Sequence, residues 1–521
     1  MKALTAALAM TLVCAAALEA DPPPPRAPRA RLQPAWLVPS TAEEQGMDSV
    51  LLAAAVEFLR GQRDLYNIHS LSVVRHGCLV ADVSFWPSQP GELHHVASIT
   101  KVVTSALVGI AIDKGYVTGV DARVLGFFPD RPIANPSEWK DAMTVEHLLT
   151  MTSGLGGVLD YESEAAAMEA SPDWLQFCLD LPMTAEPGTV WRYSNPSTFL
   201  LSAIITQVTG LSEHDFARQH LFAPLRISSS IWWPESPQGI TDGSGSLMLK
   251  PHDLAGFGQL FLQQGMWRGR QVISGEWVTE STSLHASDFQ CYLWGRYPDF
   301  DRFYYGGGAK GQRLVVAAGD DLVVVLTGGG FFHEDIEAIY REALRSFIFP
   351  AVLSDQPLPE DPIAQAELTA AIDRAASPGR EPLPVPPPPP IAAAIDGQPF
   401  LVDPNPLEIL TVTVTFPTAE EARLRITASG YWTYDDDFEW AAGLDGIERF
   451  APGRLGILAA GTGEWLNQTT LLLDVDELGN LELRRLTLVF LDGGQRVSIT
   501  LEDPYPWDPD PPLVFTGRLQ P

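Results

Sequence analysis

The chain has 521 residues, 45% of them hydrophobic, which is too long for one ordinary domain and sufficient for two or three buried cores. Its 65 acidic residues against 34 basic ones leave a net charge of −31, which sets aside nucleic acid and anionic membrane surfaces as partners.

The chain opens with Met1-Lys2, an apolar Ala- and Leu-rich run from Ala3 to Leu18, then Glu19-Ala20. A basic start, a short apolar core and small residues near a cut form a secretory signal peptide over 1–20, so a periplasmic or secreted protein is expected, with no stable membrane insertion after cleavage. Cys14 lies inside that run, but Val13 before it is not the small residue of a lipoprotein cleavage site, so lipid anchoring is the less favoured reading. Cys78, Cys178 and Cys291 remain in the exported part, an odd and sparse set that is no disulfide framework; one pair could form, and sequence does not say which.

A Pro-rich spacer over 21–42 precedes a helix expected from Met47 to about Gln62, with Leu51, Leu52, Ala55, Val56 and Leu59 at helical spacing. Two strands, 70–74 and 78–83, then flank Arg75-His76-Gly77 as a hairpin, which makes His76 a turn residue. The adjacent His94-His95 suggests a metal only weakly, because no third ligand stands at metal-site spacing. After Ala97-Ser98-Ile99-Thr100-Lys101 comes an apolar run to Ile112, closed by Asp113-Lys114-Gly115. It predicts a helix apolar on nearly every side, hence buried, stopped by Gly115. Short helices and loops follow, including one helix over 144–150, a loop over 187–195 and a helix over 197–209. Gly243-Ser244-Gly245-Ser246 leads to a helix from about Pro251. Strand 302–305 runs into Gly306-Gly307-Gly308, a second hairpin pairs 312–318 with 322–326, and a helix runs from Glu334 to Phe347. Strands at both ends with helices between predict an α+β unit over 43–350, an antiparallel sheet built from both chain ends plus a helical lobe.

Residues 351–394, with a polar helical patch and then Pro386 through Pro390, read as a linker. From 395 to 521 short alternating stretches (410–416, 422–427, 486–490 and 496–501) predict a small all-β barrel or sandwich. Asp435-Asp436-Asp437 reads as a solvated loop, since its acids lack EF-hand spacing.

Ser98 and Lys101, three apart at a helix start, share a face. A serine hydroxyl is inert until a base takes its proton. A lysine serves as that base when deprotonated, a state that burial favours, and the helix N-terminus favours the developing alkoxide. Alone, the pair reads first as a capping serine and a snorkelling lysine, since capping serines are common. Tyr193-Ser194-Asn195 about ninety residues on, and the glycine run at 306–308, add two more features in a fixed order.

In that order the chain resembles the penicillin-recognising serine hydrolases: class C β-lactamases, D-alanyl-D-alanine peptidases and related esterases, including 6-aminohexanoate-dimer hydrolases. These families carry S-x-x-K, Y-x-N and a K-T-G-like triad on a strand. Supporting phrases are His147-Leu148-Leu149-Thr150-Met151-Thr152-Ser153-Gly154-Leu155 and Trp191-Arg192 before Tyr193. The third motif departs from the pattern: Gly306 stands where Lys or His is usual, while Gly311-Gln312 fits the variant of the ester- and amide-cleaving relatives. The region after Ile395 resembles a β-barrel domain appended to some exported members.

The resemblance implies an acyl-enzyme on Ser98, with Lys101 and Tyr193 as general bases. The N–H groups of Ser98 and of the strand end near Ala309 would form the oxyanion hole, Asn195 would orient Lys101 or the substrate, and Gly306 and Gly308 would line the site. Neither a metal nor an organic cofactor is needed. The expected activity is hydrolysis of an ester or amide bond in a small-molecule or peptide-like substrate. The alternatives are a class C-like β-lactamase or D-alanyl-D-alanine peptidase, and a non-catalytic binder that kept the fold. Lys310 and Arg313 are the nearest cations that could replace the missing triad charge.

Overall fold

A computed structural model describes residues 37–520 except 158, 233–234, 286, 331–333, 430–436 and 504–510. The expected signal peptide, most of the Pro-rich spacer, and Asp435 and Asp436 lie outside these residues. Asp437, the last acid of that run, lies in a strand and pairs with Arg425.

The first unit is built on one sheet. Its strands are β1 (Val38–Pro39), β2 (Ile68–Arg75), β3 (Cys78–Ser84), β4 (Tyr304–Gly308), β5 (Gln312–Ala317) and β6 (Leu322–Gly328), in the order β1-β3-β2-β6-β5-β4. All neighbours are antiparallel except the short β1–β3 pair. Both chain ends thus meet in the β2–β6 pairing, where Leu322 faces Arg75 and Val324 faces Val73. His76 and Gly77 make the first hairpin turn with positive φ, as the sequence implied. Alternation of period two separates the core into layers. Val323 and Val325 join one apolar cluster with the helical lobe, and Val324 and Leu326 join the other.

The helices follow from their apolar spacing. α1 (Ser49–Tyr66) is capped by Asp48, whose side chain accepts from Val50 N, and buries Leu52, Ala55, Val56 and Leu59. α2 (Thr100–Asp113) is the all-apolar helix, buried from Thr100 to Ala111. Gly115 ends it with φ +76°, the left-handed C′ position that glycine occupies without a Cβ penalty. α3 (Asn195–Thr209) starts two residues before the expected position, because Ser194 accepts from Ser197 N as its cap and Pro196 suits the first turn. α4 (Pro251–Leu262) lies on β5 and β6; at Gly258 a Cβ would come within 2.7 Å of Val323 Cγ1. α5 (Glu334–Ala343) covers the opposite face.

The segment read as a linker holds α6 (Pro362–Ala375), whose N-terminus is capped by Asp361. Ala364, Leu368, Ala371 and Ala375 form a stripe at spacings of four and three, buried where α6 packs on α1. Residues 362–375 are therefore part of the core beneath α1.

Beyond it, nine strands close into a barrel. They are β7 (Pro399–Val402), β8 (Ile409–Thr418), β9 (Glu421–Ala428), β10 (Asp437–Gly443), β11 (Leu458–Trp465), β12 (Thr470–Glu477), β13 (Glu482–Leu491), β14 (Arg496–Glu502) and β15 (Leu513–Leu519). Their order is β10-β9-β8-β7-β15-β14-β13-β12-β11, and Gly443 pairs with Thr462 to join β10 to β11. A short strand, Arg449–Pro452, runs along β11. Closure removes the exposed edges that an open sheet would leave. The interior is apolar, filled by residues such as Val412, Leu424, Ile426, Leu488 and Ile499.

The barrel packs against the first unit. Trp86 Nε1 donates to Glu448 (2.7 Å), His95 N donates to Gly479 O (2.8 Å) and Lys310 Nζ donates to Leu481 O (2.6 Å). Among the described residues no helix is long and apolar enough to cross a membrane. Cys78, Cys178 and Cys291 are free thiols.

Candidate active site

Ser98 lies in a single 3-10 turn, Ala97–Ile99, at the head of α2. Ala97 before it has φ +47°, a left-handed conformation that costs a non-glycine residue about 1–2 kcal/mol. Hydrogen bonds on both sides hold it there. Its N–H donates to His95 Nδ1 (3.0 Å), and its carbonyl accepts from Thr100 Oγ1 (2.6 Å). Burial, reinforced by the charge of Lys310, lowers His95 to about 4, so its ring is neutral and Nδ1 is free to accept. The adjacent His94 is also held neutral by burial; its Nε2 lies 2.9 Å from His69 Nδ1. The weak metal signal of this pair is thereby accounted for by structural hydrogen bonds.

The structure brings four expected residues together. Tyr193 OH donates to Ser98 Oγ at 2.6 Å, and Lys101 Nζ lies 3.3 Å from the same oxygen. Lys101, only 3% exposed, also donates to Asn195 Oδ1 (2.8 Å) and to Ser244 O (2.5 Å). Its ammonium position is 4.8 Å from the centre of the Tyr193 ring. An ammonium has three protons and no lone pair, and Ser98 Oγ, Asn195 Oδ1 and Ser244 O all lie within reach of Lys101 Nζ.

Ser244 is the participant that sequence reasoning missed. Its carbonyl does the work, and a backbone carbonyl carries no side-chain signature; only the Gly243-Ser244-Gly245-Ser246 run marked the place. Asp242 holds this loop by accepting from Ser244 N (2.9 Å) and Ser244 Oγ (2.7 Å).

The glycine strand forms the facing wall. β4 is the edge of its sheet, and among the described residues no strand pairs with its outer side beyond the Tyr305–Gly295 bridge. Gly306 and Gly308 face α2, and Gly307 faces away. A Cβ at Gly308 would lie 2.6 Å from Val96 O and 3.0 Å from Ala97 Cβ, so only glycine permits this approach. At Gly306 a Cβ would meet Val102 and Ile99, the apolar flank of α2. The following turn sets Ala309: Gln312 Nε2 donates to Ala309 O (3.3 Å), Lys310 O (3.2 Å) and Gly328 O (2.5 Å).

Neither cation offered as a replacement for the triad charge faces Ser98. Lys310 turns its ammonium to Leu481 O of the barrel. Arg313 lies on the opposite side of the sheet, paired with Glu337 and stacked 4.9 Å over Tyr305. Arg192, next to Tyr193, is bound to Glu164 (2.9 Å). Beside Tyr193, Tyr161 meets the ring edge-on at 5.4 Å and donates its own hydroxyl to Glu162.

Behind Lys101, Glu213 is fully buried between Thr104 and Ser202, beside Gly243. Both hydroxyls donate elsewhere, to Gly243 O and Thr241 O. Burial therefore pushes the Glu213 carboxyl up to about 8. The folded protein keeps a proton that the unfolded chain releases above about pH 4.5, so this group erodes stability as pH rises from about 4.5 to about 8. Glu213→Gln lacks the titration. Its melting temperature should exceed the parent's by a few degrees at pH 9, with the advantage gone at pH 4.5, for an effect on the order of a few kcal/mol. Thermal unfolding against pH measures it; a gap independent of pH would show that the carboxyl does not titrate there.

The family comparison falls on this same stretch: the β-lactamase family model matches residues 60–332, which include Ser98, Lys101, Tyr193 and β4. The chain belongs to the β-lactamase family. Penicillin-binding protein 4 of Amycolatopsis lactamdurans is 30% identical over 183 residues, covering 35% of this chain and 45% of that protein. The lovastatin esterase of Penicillium rubens is 23% identical over 212 residues, covering 36% and 52%. This chain thus spans about half or less of these curated relatives. Among solved structures, the octameric penicillin-binding protein homologue from Pyrococcus abyssi covers 89% of this chain and 99% of its own at 16% identity, with a TM-score of 0.46. The expected α+β sheet with its helical lobe, followed by a β-barrel, is the architecture present.

Proposed function

We propose that this β-lactamase-family protein is a serine hydrolase that cleaves uncharged ester or amide bonds through an acyl-enzyme on Ser98. The observation that carries the reading is the convergence of Tyr193 OH and Lys101 Nζ on Ser98 Oγ, at 2.6 and 3.3 Å. Ser98 Oγ adds to the substrate carbonyl carbon as its proton passes to Lys101 or Tyr193. The bond to the leaving group then breaks as that proton is delivered to the departing oxygen or nitrogen, which leaves an ester on Ser98. Water, giving its proton to the same pair, releases the acid and restores Ser98. The N–H groups of Ser98 and Ala309 meet the carbonyl oxygen as it gains charge. The close packing of Gly308 on Val96 and Ala97 supports that assignment.

Substrate preference follows from charge. Penicillins and D-alanyl peptides present a carboxylate beside the scissile amide, and a charge-assisted hydrogen bond to it contributes roughly 1.5–3 kcal/mol. Gly306 offers no such charge, and Lys310, Arg313 and Arg192 are engaged elsewhere. Nitrophenyl butyrate and a neutral anilide should therefore exceed a chromogenic cephalosporin in kcat/KM, with about a ten- to hundredfold penalty on the anion. A cephalosporin that wins by a wide margin would move the protein to the β-lactamase alternative. Absence of turnover and of serine labelling alike would make it a binder. The export suggested by the first twenty residues fits a protein whose substrates lie outside the cytoplasm.

A further inference from the structure

Two separate pieces of chain meet at Ser98. One is His94–Val96, which leads into the nucleophile turn. The other is the turn over 309–311, which leaves β4. In the acyl-transfer reading each carries one donor of the oxyanion hole, Ser98 N–H on the first and Ala309 N–H on the second. The distance between those donors depends on how firmly the two walls are held relative to each other.

The barrel touches both walls with one hairpin. Between β12 and β13 its tip presents two backbone carbonyls two residues apart. Gly479 O accepts from His95 N (2.8 Å), and Leu481 O accepts from Lys310 Nζ (2.6 Å). Leu478 and Leu481 are buried at the contact. The tip is itself braced. Arg454 pairs with Glu477 on one flank (Nε to Oε2, 2.9 Å) and with Glu482 on the other, and Arg484 also pairs with Glu482 (2.6 Å). Behind it, His69 Nδ1 reaches His94, and His69 Nε2 lies 3.6 Å from Asp476 Oδ2 of β12. At Gly479 a Cβ would lie 2.3 Å from Ile457 Cγ2 and 2.5 Å from Leu93 O, so the tip can approach this wall only as glycine.

We infer that the barrel's hairpin tip, residues 477–482, is a positioning element of the active site that fixes the spacing of the oxyanion hole, with Lys310 as its anchor on the second wall. The inference rests on the acyl-transfer reading proposed above. Lys310 is then a positioning residue: its ammonium holds a carbonyl of the barrel, and its backbone carries the turn beside Ala309. Oxyanion donors act on the charge that develops in the transition state, so a misplaced donor lowers kcat with little change in KM.

The test uses the full chain with Lys310→Met, Lys310→Arg and Gly479→Ala. The measured quantities are kcat and KM on a neutral nitrophenyl ester, per site titrated with a fluorophosphonate, together with the melting temperature. Lys310→Met and Gly479→Ala should each lose about 10- to 100-fold in kcat with KM within about twofold, since a misplacement of about 1 Å costs on that order. Lys310→Arg, which keeps a cationic donor, should recover part of the loss. If both Lys310→Met and Gly479→Ala keep parental kcat per labelled site, even with a lowered melting temperature, the contact is merely structural and the inference fails. An unlabelled, inactive parent would instead sink the acyl-transfer reading itself. Should one variant fail to fold, the other, on the opposite wall, decides.

Discussion

Ser98→Ala should abolish stoichiometric labelling by a fluorophosphonate and lower turnover by orders of magnitude, on the order of 10⁵ or more for a lost nucleophile. The expectation rests on how differently the serines around the site are placed. Ser98 is half-buried and therefore reachable, and its oxygen meets both Tyr193 and Lys101. Ser194 and Ser244 are buried, the first capping α3 and the second bonded to Asp242. Ser197 is buried against Ser153 and Ser194. None of these has a lysine or tyrosine on its hydroxyl oxygen; Lys101 reaches only the backbone carbonyl of Ser244. The same geometry predicts an intact fold in the variant. Ser98 Oγ makes no capping bond to α2, since the cap position is Ile99, and the nucleophile turn is held by His95 and Thr100. Its loss should move stability by no more than about 0.5 kcal/mol. Full labelling of a folded Ser98→Ala protein would place the nucleophile on another serine.

What the sequence could and could not disclose follows from the kind of signal each feature leaves. Ser98 and Lys101 were legible because helical spacing alone puts them on one face, and α2 was legible because it is apolar all round. The two hairpins announced themselves through glycine-bearing turns between β-branched runs. Tyr193 and Asn195 were visible only through their order along the chain, since spacing between distant loops says nothing about proximity. α6 was partly hidden by the proline-rich stretch after it, although Ala364, Leu368, Ala371 and Ala375 carry a helical stripe that alanine makes faint. The carbonyl of Ser244 and those of Gly479 and Leu481 could not be read at all. Each acts through backbone, which every residue has, and the barrel contacts join Lys310 to a residue 171 positions later. The destinations of Lys310 and Arg313 were likewise set by tertiary packing, so their charge was countable in sequence while its direction was not.

Lys101→Ala and Tyr193→Phe should each lower kcat/KM by about 10² to 10⁴, and the double variant should fall little below the worse single one. The two changes are unequal as probes. Tyr193→Phe removes one oxygen and keeps the ring against Lys101 and Tyr161, so its loss reports on the hydroxyl at Ser98. Lys101→Ala also leaves Asn195 Oδ1 and Ser244 O without their donor inside the site. That costs about 1–3 kcal/mol of stability unless water enters, so its rates must be taken per labelled site. Non-additivity follows from the shared contact. Both groups touch one oxygen, and in the acyl-transfer reading proposed above the loss of either leaves the other with no relay to complete. If the losses multiply instead, the residues work in separate steps, and single-turnover kinetics on a nitrophenyl ester would show which. A Lys101 variant slow to acylate with normal release, and a Tyr193 variant that accumulates acyl-enzyme, would assign the first proton transfer to Lys101 and the activation of water to Tyr193. Near-parental turnover in either single variant removes that residue from the chemistry, and the contact at 2.6 or 3.3 Å would then be a packing contact only.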